Sequence, residues 1–123
     1  MRDLRYGIEI EMTGLSRGKA AETLAGFFGT RAEHTGGGYD AYAMRDAQGR
    51  VWKIVSDGSI QTQKKVRGQT VAADSTYSVE LVSPVCVYED IETIQEIVRA
   101  LRRNNALVND SCGIHVHVGA EKF

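Results

Sequence analysis

Only two cysteines, Cys86 and Cys112, occur in the 123 residues, too few for a disulfide scaffold and in keeping with a reducing compartment. No apolar run approaches the ~20 residues that a membrane-spanning helix needs. The opening Met1-Arg2-Asp3-Leu4-Arg5 lacks the apolar stretch of a secretory signal. These absences lead us to expect a cytoplasmic protein with no membrane partner. Charge of one sign is missing too: 15 Lys and Arg stand against 16 Asp and Glu, so no overall field draws the chain to nucleic acid or to an anionic surface. Internal repeats and low-complexity tracts are absent. What remains is a chain of common domain size, long enough for one packed core, and we expect a single domain over 1–123 whose partners are chosen by local sites.

Periodicity places the elements. Residues 4–13 read as a first strand. Ser16 is an N-cap for a helix over 17–28, with Ala20, Ala21, Leu24, Ala25 and Phe28 at helical spacing and Gly29 closing it. After Gly36-Gly37-Gly38, the runs 39–44 and 50–56 flank the turn signal Asp46-Ala47-Gln48-Gly49 and predict a hairpin. Residues 61–75 are polar and nearly core-free, so an exposed loop is expected there. Residues 78–82 read as a strand that Pro84 ends. Ile91, Ile94, Ile97, Val98 and Leu101 then form one stripe of a helix over about 89–103, with Arg99, Arg102 and Arg103 near its C-terminus. A last strand follows. Strands in hairpins with two interspersed helices predict an α+β fold: a curved antiparallel sheet of about five to six strands with both helices on one face.

Polar residues at alternate strand positions carry the chemistry. In Gly7-Ile8-Glu9-Ile10-Glu11-Met12 the two glutamates share one face and the isoleucines the other; in Ile114-His115-Val116-His117-Val118 the histidines oppose the aliphatic residues. Glu80, between Val79 and Leu81, points away from their face in the same way. Alternate residues lie about 6.6 Å apart at Cα, close enough to share one ion or to hold two neighbouring ones. Adjacent carboxylates repel unless something positive stands between them, and a divalent cation meets that need. The alternative for each is a solvated strand face, common in antiparallel sheets. Asp57-Gly58-Ser59 is a turn signal from which Asp57 or Ser59 could reach a substrate. Gly14-Leu15-Ser16-Arg17-Gly18-Lys19-Ala20 only mimics a phosphate loop: its glycine spacing is one residue short, and Ala20 stands where a hydroxyl would hold Mg2+.

In order along the chain, GIEIEM, the Ser16-Arg17 helix start, Trp52 followed by DGSI, ELVSP before the second helix, and CGIHVHVG resemble the amidoligase family over about residues 5–120. That group of carboxylate–amine ligases shares a catalytic core with glutamine synthetase and glutamate–cysteine ligase. The resemblance implies a partial core of that kind, the N-terminal part of a longer one. It also implies ATP-dependent amide-bond formation between a small-molecule or peptide carboxylate and an amine, with Mg2+ or Mn2+. By likeness Glu9 and His115 would share one metal and Glu11 and Glu80 the other, with His117 near the phosphates. Asp57, Ser59 and Arg17 would be contacts to substrate or nucleotide. A sheet ending at the histidine strand would expose an edge open to a second copy of the chain. Two alternatives compete: a metal-dependent oxidase or hydrolase on a small β-fold, and a non-catalytic fragment that keeps the metal site.

Overall fold

The computed structural model describes residues 4–119. In chain order they form β1 (Tyr6–Met12), α1 (Arg17–Phe28), β2 (Glu33–Gly36), β3 (Ala41–Arg45), β4 (Val51–Val55), β5 (Gln63–Val66), β6 (Gln69–Ala72), β7 (Val79–Val82), α2 (Ile91–Arg103) and β8 (Ile114–Val118). Six strands make one sheet in the order β2-β3-β4-β7-β1-β8, with every neighbouring pair antiparallel, and β5 and β6 form a separate two-stranded sheet. The fold is α+β, as expected. β1 is paired along both edges, which brings the two ends of the chain together: Glu11 stands opposite Glu80 and Glu9 opposite His115.

Alternation along the strands divides the sheet into two faces. Ile10, Met12, Val79, Leu81, Ile54, Trp52 and Met44 are buried with Ala20, Ala21, Leu24 and Ala25 of α1 and Ile94, Ile97 and Leu101 of α2 in one core. Each large side chain there stabilises the fold by roughly 1.5–3 kcal/mol on burial. Local signals bound the helices. The Ser16 hydroxyl accepts the Lys19 N–H at 3.1 Å, and Gly29, at φ 72°, ends α1 in the left-handed conformation. Gly14 is a packing junction: at φ +92°, a Cβ there would collide with the Asn105 carbonyl oxygen. That close approach lets Thr13 and Leu107 exchange both backbone hydrogen bonds, at 2.8 and 2.7 Å.

Three departures from the periodic pattern have physical causes. β2 runs through the polar Glu33-His34-Thr35-Gly36; as an edge strand with a bulge and little buried surface it needs no apolar alternation. Residues 61–75 hold the β5–β6 hairpin rather than a plain loop. Its two-residue turn, Arg67-Gly68, has positive φ at both positions (52° and 79°), which suits a twisted hairpin, and with no buried face it reads as a polar stretch. Finally, the aliphatic side of β8 shares its face with Ile8 and Ile10, yet Ile114, Val116 and Val118 remain 55–63% exposed, because the helical layer does not extend over them.

A charged network ties the β3–β4 turn to the start of α2. Asp46 accepts the Trp52 indole N–H at 3.0 Å, Nε of Arg50 at 2.9 Å and the backbone N–H groups of Gln48 and Arg50. Arg50 spans on to both carboxylate oxygens of Asp90, at 3.0 and 2.9 Å. Asp46→Ala leaves the buried indole N–H, Nε of Arg50 and the backbone N–H groups of the turn without their acceptor. We expect urea denaturation to show a loss of about 2–4 kcal/mol.

Candidate functional site

The polar face of the sheet is built from β1, β7, β8 and the chain leaving β4. Paired strands place Glu11 and Glu80 side by side, and β4 ends where Val55 stands opposite Glu80. The next turn carries Asp57 to the same spot. Its backbone N–H donates to the Ser78 hydroxyl at 2.8 Å, and that hydroxyl donates back to the Asp57 carbonyl at 2.7 Å. Ser59 donates its N–H (2.9 Å) and its hydroxyl (2.7 Å) to Oδ1 of Asp57. As a result Glu11, Asp57 and Glu80 each bring one carboxylate oxygen within 4.8 Å of the others.

Three carboxylates this close cannot all ionise cheaply. Glu11 is buried and accepts the Gly113 N–H on Oε1 at 2.8 Å. Its hydrogen bond with Asp57, then burial, raises its pKa, while Asp57 is held well below the usual carboxylate range by the same bond and by the Ser59 donors. The shifts run in opposite directions: Glu11 holds its proton more tightly than an ordinary glutamate, and Asp57 more loosely than an ordinary aspartate. Glu80 is pushed up to about 7, first by burial, then by its hydrogen bond with Asp57 and the nearby charge of Glu9. Beside this cluster, Glu9 Oε1 lies 3.3 Å from Nε2 of His117 and 3.7 Å from Nδ1 of His115.

The structure thus gathers Glu9, Glu11, Glu80, His115 and His117 on one face and adds Asp57 as a full member of the carboxylate cluster. Ser59 directs its donors to Asp57. Arg17 is placed elsewhere: its side chain, 7% exposed, gives Nε and Nη2 to Asp40 Oδ2 (3.1 and 2.8 Å) and Nη1 to the Ser75 and Ser78 carbonyls (2.6 and 2.9 Å). Two members of the site escaped the sequence. Gly113, read in the sequence only as part of CGIHVHVG, supplies an N–H to Glu11 from the segment before β8. Ser78 lies at the start of a strand, where a serine is unremarkable. The Asp-x-Ser spacing at 57–59 was the one available hint, since an aspartate folds back on a donor two residues on.

A family model described as "Putative amidoligase enzyme" matches residues 2–123. The chain belongs to the amidoligase family. No curated protein and no solved structure matches it. The donor set of this amidoligase-family chain fits a hard divalent cation: three convergent carboxylate oxygens suit Mg2+ or Mn2+, and a neighbouring glutamate with two imidazoles suits Mn2+ as well.

The raised pKa of Glu80 sets the sign of a pH effect. The folded protein retains a proton up to about 7 that the unfolded chain releases near 4.5, so the metal-free fold loses stability as pH rises through that window. Asp57, shifted downward, withdraws its own contribution only as pH falls below its ordinary value of 3.8. We expect the Tm of metal-free wild type to fall relative to that of Glu80→Gln between about pH 5 and 8; parallel curves would contradict the assignment.

Proposed function

We propose that this chain forms the core of an ATP-dependent carboxylate–amine ligase, and the convergence of Glu11, Asp57 and Glu80 is the observation that carries this reading. Under it, the γ-phosphoryl group of ATP passes to an oxygen of the substrate carboxylate. The β–γ bridging P–O bond breaks and ADP leaves; the amine nitrogen then attacks the acyl carbon and gives up a proton to solvent, and the carbon–oxygen bond to phosphate breaks to leave an amide and inorganic phosphate. A bound Mg2+ or Mn2+ supplies charge neutralisation for the phosphate oxygens. Glu11, Asp57 and Glu80 would hold one cation, Glu9 and His115 a second, and His117 would face the phosphates. In doing so Glu11 and Glu80 give up the protons that now lower their mutual repulsion. The acid and amine are small molecules or a peptide carboxylate and its partner amine, and the glutamine-synthetase-like character of the core belongs to the same proposal. Both helices cover the other face of the sheet, and the half-buried Asp57 and Glu80 would give a charged nucleotide access to the cluster beside the buried Glu11.

Calorimetry with Mn2+ tests the reading directly. Wild type should bind, and Glu11→Gln or Asp57→Asn should weaken binding at least ~10-fold. Mg2+–ATP should raise the Tm of wild type but not of Glu11→Gln. Unchanged Mn2+ affinity in both variants would sink the proposal.

The partner at the sheet edge belongs here too. The bonds from Glu11 N–H to the Gly113 carbonyl and from Gly119 N–H to the Arg5 carbonyl show that odd-numbered residues of β8 turn their backbone toward β1. Ile114, Val116 and Val118 therefore turn theirs outward. A second copy paired antiparallel about Val116 would satisfy those groups and set Ile114 against Val118 of the partner in an apolar ladder. On this basis the chain self-associates through β8. Light scattering should find a dimer that Val116→Lys converts to monomer.

A further inference from the structure

Ser78 is 4% exposed and stands two positions before Glu80, at the entrance to β7. Its hydroxyl spends both hydrogen-bonding directions on the backbone of a single residue, accepting from Asp57 N–H and donating to the Asp57 carbonyl. The two bonds resemble one rung of a ladder, made by a side chain where the β4–β7 pairing has already ended at Val55. They fix the backbone from which the Asp57 carboxylate projects. The Ser59 donors fix the rotation of that carboxylate by occupying Oδ1. So held, the Asp57 carboxylate brings one oxygen within 4.8 Å of an oxygen of Glu11 and one of Glu80.

Ser78 is itself anchored. Its carbonyl accepts Nη1 of Arg17 at 2.9 Å, the same nitrogen holds the Ser75 carbonyl at 2.6 Å, and the Tyr77 carbonyl accepts the Thr13 hydroxyl at 2.7 Å. Arg17 is in turn fixed by Asp40, which also receives His34 Nε2 at 2.6 Å. A buried guanidinium with two donors on backbone carbonyls and two on a carboxylate is locked in one orientation.

We propose that Ser78, anchored by Arg17, is a positioning residue that sets the Asp57 carboxylate for cation binding. The inference rests on the metal-site reading above and gives Arg17 a role through Ser78 and Asp57, with no contact to nucleotide. Positioning partners of metal ligands are commonly worth 10- to 100-fold in affinity. A purely structural serine would affect stability alone.

Mn2+ calorimetry on the full chain separates the cases, with Asp46→Ala as a control that is destabilised at a site remote from the carboxylates. We expect Ser78→Ala to bind Mn2+ ~10-fold or more weakly than wild type, and Asp46→Ala to bind as wild type does at a temperature where both are folded. If Ser78→Ala does not fold, Ser78→Cys, which keeps only a weak donor and acceptor, takes its place with the same expectation. Wild-type affinity in the folded Ser78 variant overturns the inference, as does equal weakening in Asp46→Ala. Absence of Mn2+ binding by wild type overturns the proposed function and this inference with it.

Discussion

The register between β1 and β7 is the constraint on which the site depends. Side chains alternate with a period of two, so a slip of one residue would turn Ile10 and Met12 outward and bring Glu9 and Glu11 into the core. Burial of Ile10, Met12, Val79 and Leu81 on the helical side forbids this. The same register forces Glu11 against Glu80 on the other side, where directly opposed like charges destabilise by something under about 1 kcal/mol. Four buried aliphatic side chains at roughly 1.5–3 kcal/mol each decide the contest. The carboxylates lie together because the opposite face leaves them no alternative.

How the cluster tolerates its charge follows from its neighbours. Arginines could have neutralised it, yet Arg17 is committed to Asp40 and two backbone carbonyls and Arg50 to Asp46 and Asp90. The site relies on dipoles and protons instead. Gly113 donates to Glu11, Ser59 donates twice to Asp57, and the pKa of Glu11 is raised while that of Asp57 is lowered, which favours a single charge on the pair. Protons can be exchanged for a cation as an arginine pair could not. The arginines that pair with carboxylates in this fold are thus kept apart from the Glu11–Asp57–Glu80 cluster.

What was legible in the sequence was whatever local physics decides. α1 is capped by Ser16 and Gly29 because capping is a contact between near neighbours, and β1, β3, β4 and β7 show because a half-buried strand must alternate; β8 shows by its alternation alone, with every residue exposed. β2 and the β5–β6 hairpin were illegible since they bury too little to select residue types. Glu9, Glu11, Glu80, His115 and His117 could be placed on strand faces from alternation alone. Asp57 could be seen as a turn residue, but its arrival beside Glu11 depends on Ser78, which no spacing links to it. Arg17 shows the reverse case: a cation at a helix start reads as a ligand contact until its donors are traced to Ser75, Ser78 and Asp40.

The site therefore has no existence below the level of the closed sheet. Glu11 comes from the second position before the end of β1, Asp57 from the turn after β4, Glu80 from β7, and the supporting N–H of Gly113 from the approach to β8. Each segment contributes at most one of the three clustered carboxylates, and their repulsion favours separation. A cation that binds the assembled cluster and not the unfolded chain is then linked to folding by mass action, worth about 2.7 kcal/mol at a hundredfold excess over its Kd. Since that gain is of the order of the register energies above, β1, β7 and the Asp57 turn are the elements it would hold together. Under the proposed function, stability and cation affinity draw on the same two strands and turn, so a change that loosens the β1–β7 register would weaken both.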